Sequence, residues 1–209
     1  LLGLDAEHLR WKQHANLVFY ASDAWDIEYD FPTYGYDEIE GVHDRTDYDL
    51  TQHAQHSGVD FSYNDNGDKF VPYIIETSMG LGRVFLAILA EAYDEETLED
   101  GESRVVMHFP PRIAPEQVAV LPLMKKDGMS EKAQELYEVL APAMRTGYNE
   151  SGSIGKRYRK ADEVGTPFCI TVDHDTLEDN TVTVRERDSM KQERVSIEKL
   201  QQYLQARLS

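Results

Sequence analysis

The sequence has little of what marks several protein classes. It contains one cysteine, Cys169, in 209 residues. That leaves no intramolecular disulfide framework and no cysteine cage for zinc, and it fits a reducing, cytoplasmic setting. No apolar run approaches the roughly 20 residues of a membrane-spanning helix, so no membrane partner is expected. The opening residues LLGLDAEHLRWKQH have no methionine start and no basic leader, and they read as the inside of a longer protein. Basic residues are scarce as well, 21 against 39 acidic ones, for a formal charge of −18. An acidic surface repels phosphate backbones, which argues against nucleic acid for the chain as a whole.

The distribution of what is present points the other way. Hydrophobic residues make up 41% and recur along the whole chain, which excludes a disordered tail. Residues 1–105 hold 6 basic and 23 acidic side chains, whereas residues 106–209 hold 15 and 16. Such asymmetry predicts two domains with different partners. The acidic stretch DEETLEDGES (94–103) and HFPPRIAP (108–115), with three prolines in eight residues, place a linker at about 100–115. In the second half Lys156, Arg157, Arg159 and Lys160 surround Tyr158, which fits either a solvated helix face or a phosphate-binding stripe.

Periodicity predicts a helix over 5–21, then strands over 25–31 and 36–43 that pair antiparallel, then a helix over 46–58 stopped by Gly58. Asn66-Gly67 between DFSYND and KFVPYIIE predicts a hairpin, because both turn residues must take positive φ. An apolar helix, MGLGRVFLAILAEAY, closes the first half as an antiparallel α+β core. The second half reads strand (QVAVLPL), helix (130–145), helix (SIGKRYRKADEV, capped by Ser151 or Ser153), three strands and a closing helix, a small α/β domain with a mixed sheet.

Three clusters stand out chemically. In DEIEGVHDRTDYDL (37–50), Glu38 and Glu40 are expected on one strand face beside Gly41. That pattern suits either a solvent-facing edge or Mg²⁺, which takes one or two carboxylates together with substrate phosphates. Arg45 either neutralises the surrounding acids or aims at a substrate carboxylate. In PYIIETSMGLGRVFLAIL (72–89), a strand ends in Glu76 and Ser78, a glycine turn follows, and Arg83 opens a helix. A cation at a helix start opposes the macrodipole and points to a bound anion. His53 and His56 lie three apart on a helix, but no third ligand follows, so they read as surface histidines and no zinc is assigned.

The first two clusters together resemble glycyl-tRNA synthetases of the dimeric class II type. The resemblance rests on Glu38 through Leu50 and on Glu76-Thr77-Ser78-Met79-Gly80-Leu81-Gly82-Arg83. VAVLPLMKKDG, SGSIGKRYRKADEVGTPFCITVD and TLEDNTVTVRERDSMKQERVSI are similar to that family's anticodon-binding domain. Thr77 stands where the family often has proline, and Tyr36 where tryptophan is common. The family's first and second class II motifs have no counterpart here and are expected before Leu1.

The resemblance implies a fold and an activity. Residues 1–105 would be the C-terminal part of a class II catalytic domain, an antiparallel sheet with helices that includes the third motif. Residues 106–209 would be an α/β anticodon-binding domain with a mixed sheet. The intact enzyme would be a homodimer that joins glycine to ATP and passes the glycyl group to tRNA(Gly); the fragment alone would be inactive. Arg83 and Glu38 would be catalytic. Glu38, Ile39, Gly80, Leu81, Gly82 and Arg83 would bind ATP, with Glu38 also holding its Mg²⁺. Arg45, Glu76, Thr77, Ser78, Met79 and Gly80 would bind glycine, and Lys156, Arg157, Arg159 and Lys160 would bind tRNA. The alternative is a non-catalytic synthetase-like RNA-binding or polymerase-accessory protein. A hydrolase with paired carboxylates ranks last, because nothing sets Glu38 across a cleft from a second acid.

Overall fold

The structure, a computed structural model, describes residues 2–98 and 101–208; of the expected linker, Glu99 and Asp100 lie outside the described residues. The chain divides into two compact units, Leu4–Ala90 and Glu91–Ser209 with Leu1–Gly3.

The N-terminal unit contains β1 (Leu9–Gln13), β2 (Asp23–Phe31), β3 (Gly35–Asp44), α1 (Tyr48–Ser57), β4 (Tyr63–Asp65), β5 (Asp68–Phe70), β6 (Ile75–Met79) and most of α2 (Leu81–Ala92). Four strands form an antiparallel sheet in the order β1-β2-β3-β6. The helix expected over 5–21 is instead a short 3-10 turn at Ala6–His8, strand β1 and an irregular segment. The reason lies in LRWKQ, which alternates apolar and cationic residues. Along β1, Arg10 and Lys12 both reach Glu28 on β2, at 2.7 and 2.6 Å. A longer helical window averages this period of two away. The β4–β5 hairpin turns at Asn66 and Gly67, with φ of 52° and 109°, as their side chains predict. Gly58 ends α1 in the left-handed conformation.

This unit's core is small. Tyr29, Phe31, Ile39, Val84 and Ala87 are buried, while α2 leaves Leu81 84% exposed and Phe85 and Leu86 open beside it.

The C-terminal unit contains β7 (Tyr93–Thr97), β8 (Ser103–Met107), β9 (Val118–Pro122), α3 (Met129–Leu140), β10 (Thr146–Tyr148), α4 (Ile154–Val164), β11 (Phe168–Val172), α5 (His174–Asp179), β12 (Thr181–Glu186), β13 (Gln192–Ser196) and α6 (Ile197–Leu208). Its mixed sheet runs β10-β9-β11-β12-β13, parallel across β10, β9 and β11 and antiparallel beyond. Every residue of β9 and β11 is buried, as strands covered on both faces require. Val118, Val120, Ile170, Val182 and Val184 pack with Leu136, Leu140, Leu200 and Leu204 of α3 and α6. The alternate residues Ala119, Leu121 and Cys169 pack with Ala161 of α4.

The domain boundary expected at 105/106 falls inside this unit. Within the linker expected at about 100–115, residues 103–107 are a strand that pairs antiparallel with 93–97 and packs on α4. Gly165 shows how close that packing is: it ends α4 at φ 79°, and a Cβ there would lie 2.7 Å from the Met107 carbonyl. Dividing the chain at 90/91 also softens the charge asymmetry. Residues 4–90 hold 5 basic and 16 acidic side chains, and residues 91–209 hold 16 and 23.

Candidate functional site

The site is built on one face of the four-stranded sheet. Side chains of directly paired residues share a face, and successive residues alternate. Gly41 on β3 pairs with Asp26 on β2 and with Ser78 on β6, and His43 pairs with Ala24 and Glu76. Asp26, His43, Glu76 and Ser78 therefore share a face with the bare Gly41. A Cβ at Gly41 would lie 3.4 Å from His43 Nε2 and 3.7 Å from both Asp26 Oδ1 and Glu38 Oε1. The glycine opens a small polar hollow between strands.

One expectation about faces needs correction. The β2–β3 register shifts at Ile27/Glu28, so that Ile27 faces Glu40 while Glu28 faces Glu38. This bulge gives β3 one extra residue, Ile39, and breaks the alternation. Glu38 consequently joins the face of Gly41 and His43, whereas Glu40, adjacent to Gly41, projects to the other side. The two carboxylates do not form the pair that their spacing suggested. Likewise, the alternation of β6 directs the side chains of Thr77 and Met79 away from the face that carries Glu76 and Ser78. A further correction concerns Ile39: it is 6% exposed, and the group it presents at this corner is its carbonyl, which accepts from the Gly80 amide at 3.3 Å.

Arg45 organises the acids. Its Nη1 donates to Glu76 Oε2 at 2.6 Å, its Nε and Nη2 donate to Asp49 at 2.5 and 3.0 Å, and the guanidinium lies 4.3 Å over the Tyr20 ring. Hydrogen bonds to Asp49 and then Glu76 raise its pKa further, and the same contact holds the Asp49 carboxyl below its ordinary range. Of the two roles open to Arg45, the structure displays the neutralising one; it also fixes the Glu76 carboxylate, whose Oε2 lies 3.9 Å from His43 Nδ1.

At the adjacent corner Arg83, in the first turn of α2, donates from Nη1 to the Glu38 carbonyl at 2.9 Å. It stands 3.5 Å from Asp37 and 3.8 Å from the Glu38 carboxylate. It is half-exposed, and nothing would obstruct a Cβ at Gly80 or Gly82. The corner thus joins an available cation to open backbone next to a carboxylate, a set suited to a phosphate-bearing planar ligand.

The basic stripe of the C-terminal unit is split. Arg157 is 3% exposed and turns inward, donating to the carbonyls of Pro122 at 2.6 Å, Asn149 at 3.2 Å and Leu123 at 3.2 Å. Burial lowers its pKa. It is committed to the fold and is removed from the candidate phosphate contacts. Lys156, Arg159 and Lys160 remain at the surface, lining a cleft of about 680 Å³ with Tyr158, Arg185 and Met190. Cys169 supplies no nucleophile, because burial pushes its thiol up to about 12.

Sequence reasoning missed two clusters. His14, Asp26 and His43 bring their ligand atoms within 4.8 Å of one another. No local spacing signals this, since the residues come from the end of β1, from β2 and from β3; His53 and His56 belong to neither metal-competent cluster among the described residues. The second cluster is a buried network in the C-terminal unit: Asp162 accepts from Arg104 Nε at 2.9 Å and from Arg185 at 2.8 and 3.0 Å.

Comparison with known proteins adds a relationship to this geometry. Residues 117–207 match the anticodon binding domain. The chain is 54% identical to the glycine–tRNA ligase of Clostridium acetobutylicum, an alignment that covers 99% of this chain and 45% of the relative. It is 55% identical to that of Treponema denticola, over 92% of this chain and 45% of the relative. With that of Chlorobaculum tepidum it shares 49% identity over 99% of its length, 44% of the relative. The chain therefore spans a little under half the length of these curated relatives.

Proposed function

The chain is related to the glycine–tRNA ligases along its length and contains an anticodon binding domain, and on that premise we propose that it is the part of such a ligase that selects glycine, closes the ATP site and holds tRNA(Gly). In the whole protein a glycine carboxylate oxygen attacks the α-phosphorus of ATP, pyrophosphate leaves, and the glycyl group then passes to the tRNA 3′ end. Such chemistry needs positioning and charge stabilisation rather than a side-chain nucleophile. The exposed apolar face of α2 is consistent with cover from the rest of a longer ligase. Among the described residues no helix is long and apolar enough to cross a membrane; a cytoplasmic, homodimeric enzyme is part of this reading.

The observation that carries the proposal is the row of Glu76 and Ser78 facing Gly41 and His43, with Glu76 held by Arg45. Glycine has no side chain to grip, so selection must come from the absence of room. Ser78 and Glu76 close the space beside the α-carbon, and overlap rejects a methyl more strongly than the roughly 1–3 kcal/mol available from a missing contact. Glu76 suits the ammonium. Thr77, Met79 and Gly80 contribute backbone. Gly80, Leu81 and Gly82 leave space for the nucleotide, Arg83 stacks on its base, and Ile39 offers a carbonyl. Glu38 alone, without Glu40, fits the one-carboxylate share that Mg²⁺ takes when it arrives with a triphosphate. Lys156, Arg159 and Lys160 take tRNA phosphates.

The test is glycine-dependent ATP–pyrophosphate exchange by the longer protein that contains these residues. Ser78→Ala should keep exchange with glycine and admit alanine. Glu76→Gln should depress glycine use itself. A Ser78→Ala enzyme as selective as its parent refutes the exclusion role, and absence of glycine-dependent exchange refutes the ligase reading.

A further inference from the structure

We propose that the N-terminal unit holds a transition-metal site over Gly41, formed by His14, Asp26 and His43, for a borderline divalent cation such as Zn²⁺. The site shares the sheet face that the ligase reading gives to glycine, and its test, metal binding by three side chains, does not depend on that reading.

His14 follows β1, and its amide donates to the Ala24 carbonyl at 3.0 Å, which sets it beside Ala24. His43 pairs with the same Ala24 from the other side. The small alanine lets the two imidazoles lean toward each other, and their ring centres are 5.6 Å apart. Two residues along β2, the buried Asp26 turns its Oδ1 to His14 Nε2 at 2.8 Å. The hollow over Gly41 lies against His43 Nε2 and Asp26 Oδ1, with Glu38 Oε1 at the same distance as the aspartate. One ring nitrogen of each histidine and a carboxylate oxygen of Asp26 are thereby gathered at one place on the sheet.

The donor set selects the cation. Imidazole nitrogens with one carboxylate suit Zn²⁺ and its neighbours, whereas Mg²⁺ prefers oxygen. The ligand atoms are within 4.8 Å of one another, against roughly 3.3 Å between ligands around tetrahedral zinc, so side-chain rotation closes the set without moving a strand. Behind His43, Glu76 lies 3.9 Å from Nδ1, the position from which a carboxylate orients a metal-bound histidine. The other His-and-carboxylate cluster, Asp94, Glu96 and His108, is less suited, because Arg104 Nη1 already holds Glu96 at 2.6 Å and places a fixed positive charge beside it.

The experiment is titration of the 209-residue chain with Zn²⁺ by calorimetry, and with Co²⁺ by its ligand-field absorption. One equivalent should bind, and millimolar Mg²⁺ should not displace it. His43→Ala and His14→Ala should each weaken binding by at least about tenfold, while His53→Ala, His56→Ala and His108→Ala leave it unchanged. Far-UV circular dichroism of the His43→Ala chain, which should match the parent, separates lost ligation from lost folding. Absence of stoichiometric binding, parental affinity in the folded His43→Ala chain, or loss of binding in His108→Ala would each overturn the site.

Discussion

Replacing Asp162 by alanine tests how the C-terminal unit is held together. The Asp162 and Arg104 side chains are both 0% exposed. Asp162 receives one hydrogen bond from Arg104 and two from Arg185, and Arg104 also reaches Glu96 at 2.6 Å and the Arg187 carbonyl at 2.5 Å. One carboxylate on α4 thereby ties β8 to β12. Without Asp162, the buried Arg104 keeps only Glu96 and the nearly buried Arg185 loses both of its hydrogen bonds to a carboxylate. Breaking such a buried pair costs about 3–5 kcal/mol, a large part of the roughly 5–15 kcal/mol that holds a domain folded. At about 4 °C per kcal/mol for a domain of this size, the melting temperature should fall by about 15 °C. Both tryptophans, Trp11 and Trp25, lie in the N-terminal unit. In urea, the circular dichroism transition of the C-terminal unit should therefore move while tryptophan fluorescence keeps its midpoint. The loss should persist in 1 M salt, because buried charges are poorly screened. The triple variant Arg104→Met, Asp162→Leu, Arg185→Met should recover most of the stability, since it strands no charge. A loss below about 1 kcal/mol in Asp162→Ala, or a triple variant as weak as the single one, would refute the argument.

Three further outcomes follow from the same geometry. Residues 91–209 expressed alone should melt in one transition, while residues 108–209, which lack Arg104 and the β7–β8 hairpin, should melt at a markedly lower temperature by circular dichroism. Lys156→Glu with Lys160→Glu should flatten the salt dependence of tRNA binding in a filter assay, whereas Arg157→Ala should destabilise the unit by about 2–3 kcal/mol in urea, through three carbonyls losing a charged donor. Glu28 is buried, which raises its pKa, but Lys12 and Arg10 overcome this and hold its carboxyl below the ordinary 4.5; its stabilisation is complete above that value and is lost as pH falls through the depressed folded value. Glu28→Gln should accordingly flatten the decline of the fluorescence-monitored urea midpoint as pH falls below 4.5.

Much of this was written locally. The β4–β5 turn follows from Asn66-Gly67, the end of α1 from Gly58, and the buried strand β9 from an uninterrupted apolar run, because each depends on the conformational preference or solubility of a few adjacent side chains. The resemblance of residues 38–50 and 76–83 to a synthetase family was also a property of sequence alone, borne out by relatives near 50% identity. Other features depended on residues far apart in the chain. Residues 9–13 became a strand because Glu28 and the edge of β2 offered partners that a window around them cannot contain. Residues 103–107 fell in the expected linker because an acidic stretch precedes them and prolines follow, yet they pair with 93–97 and belong to the C-terminal unit through Arg104, whose partner lies 58 residues on. The bulge at Ile39 came from pairing between strands, and by adding one residue it moved Glu38 to the face of His43 and separated it from Glu40. Arg157 reads like its basic neighbours, yet carbonyls at Pro122, Leu123 and Asn149 draw it inside. The sequence by itself determined where single turns and helix ends fall, which segments are apolar and which family they resemble; only the tertiary structure decided which charges meet, because a carboxylate's partner is chosen by register and packing across the sheet rather than by its neighbours along the chain.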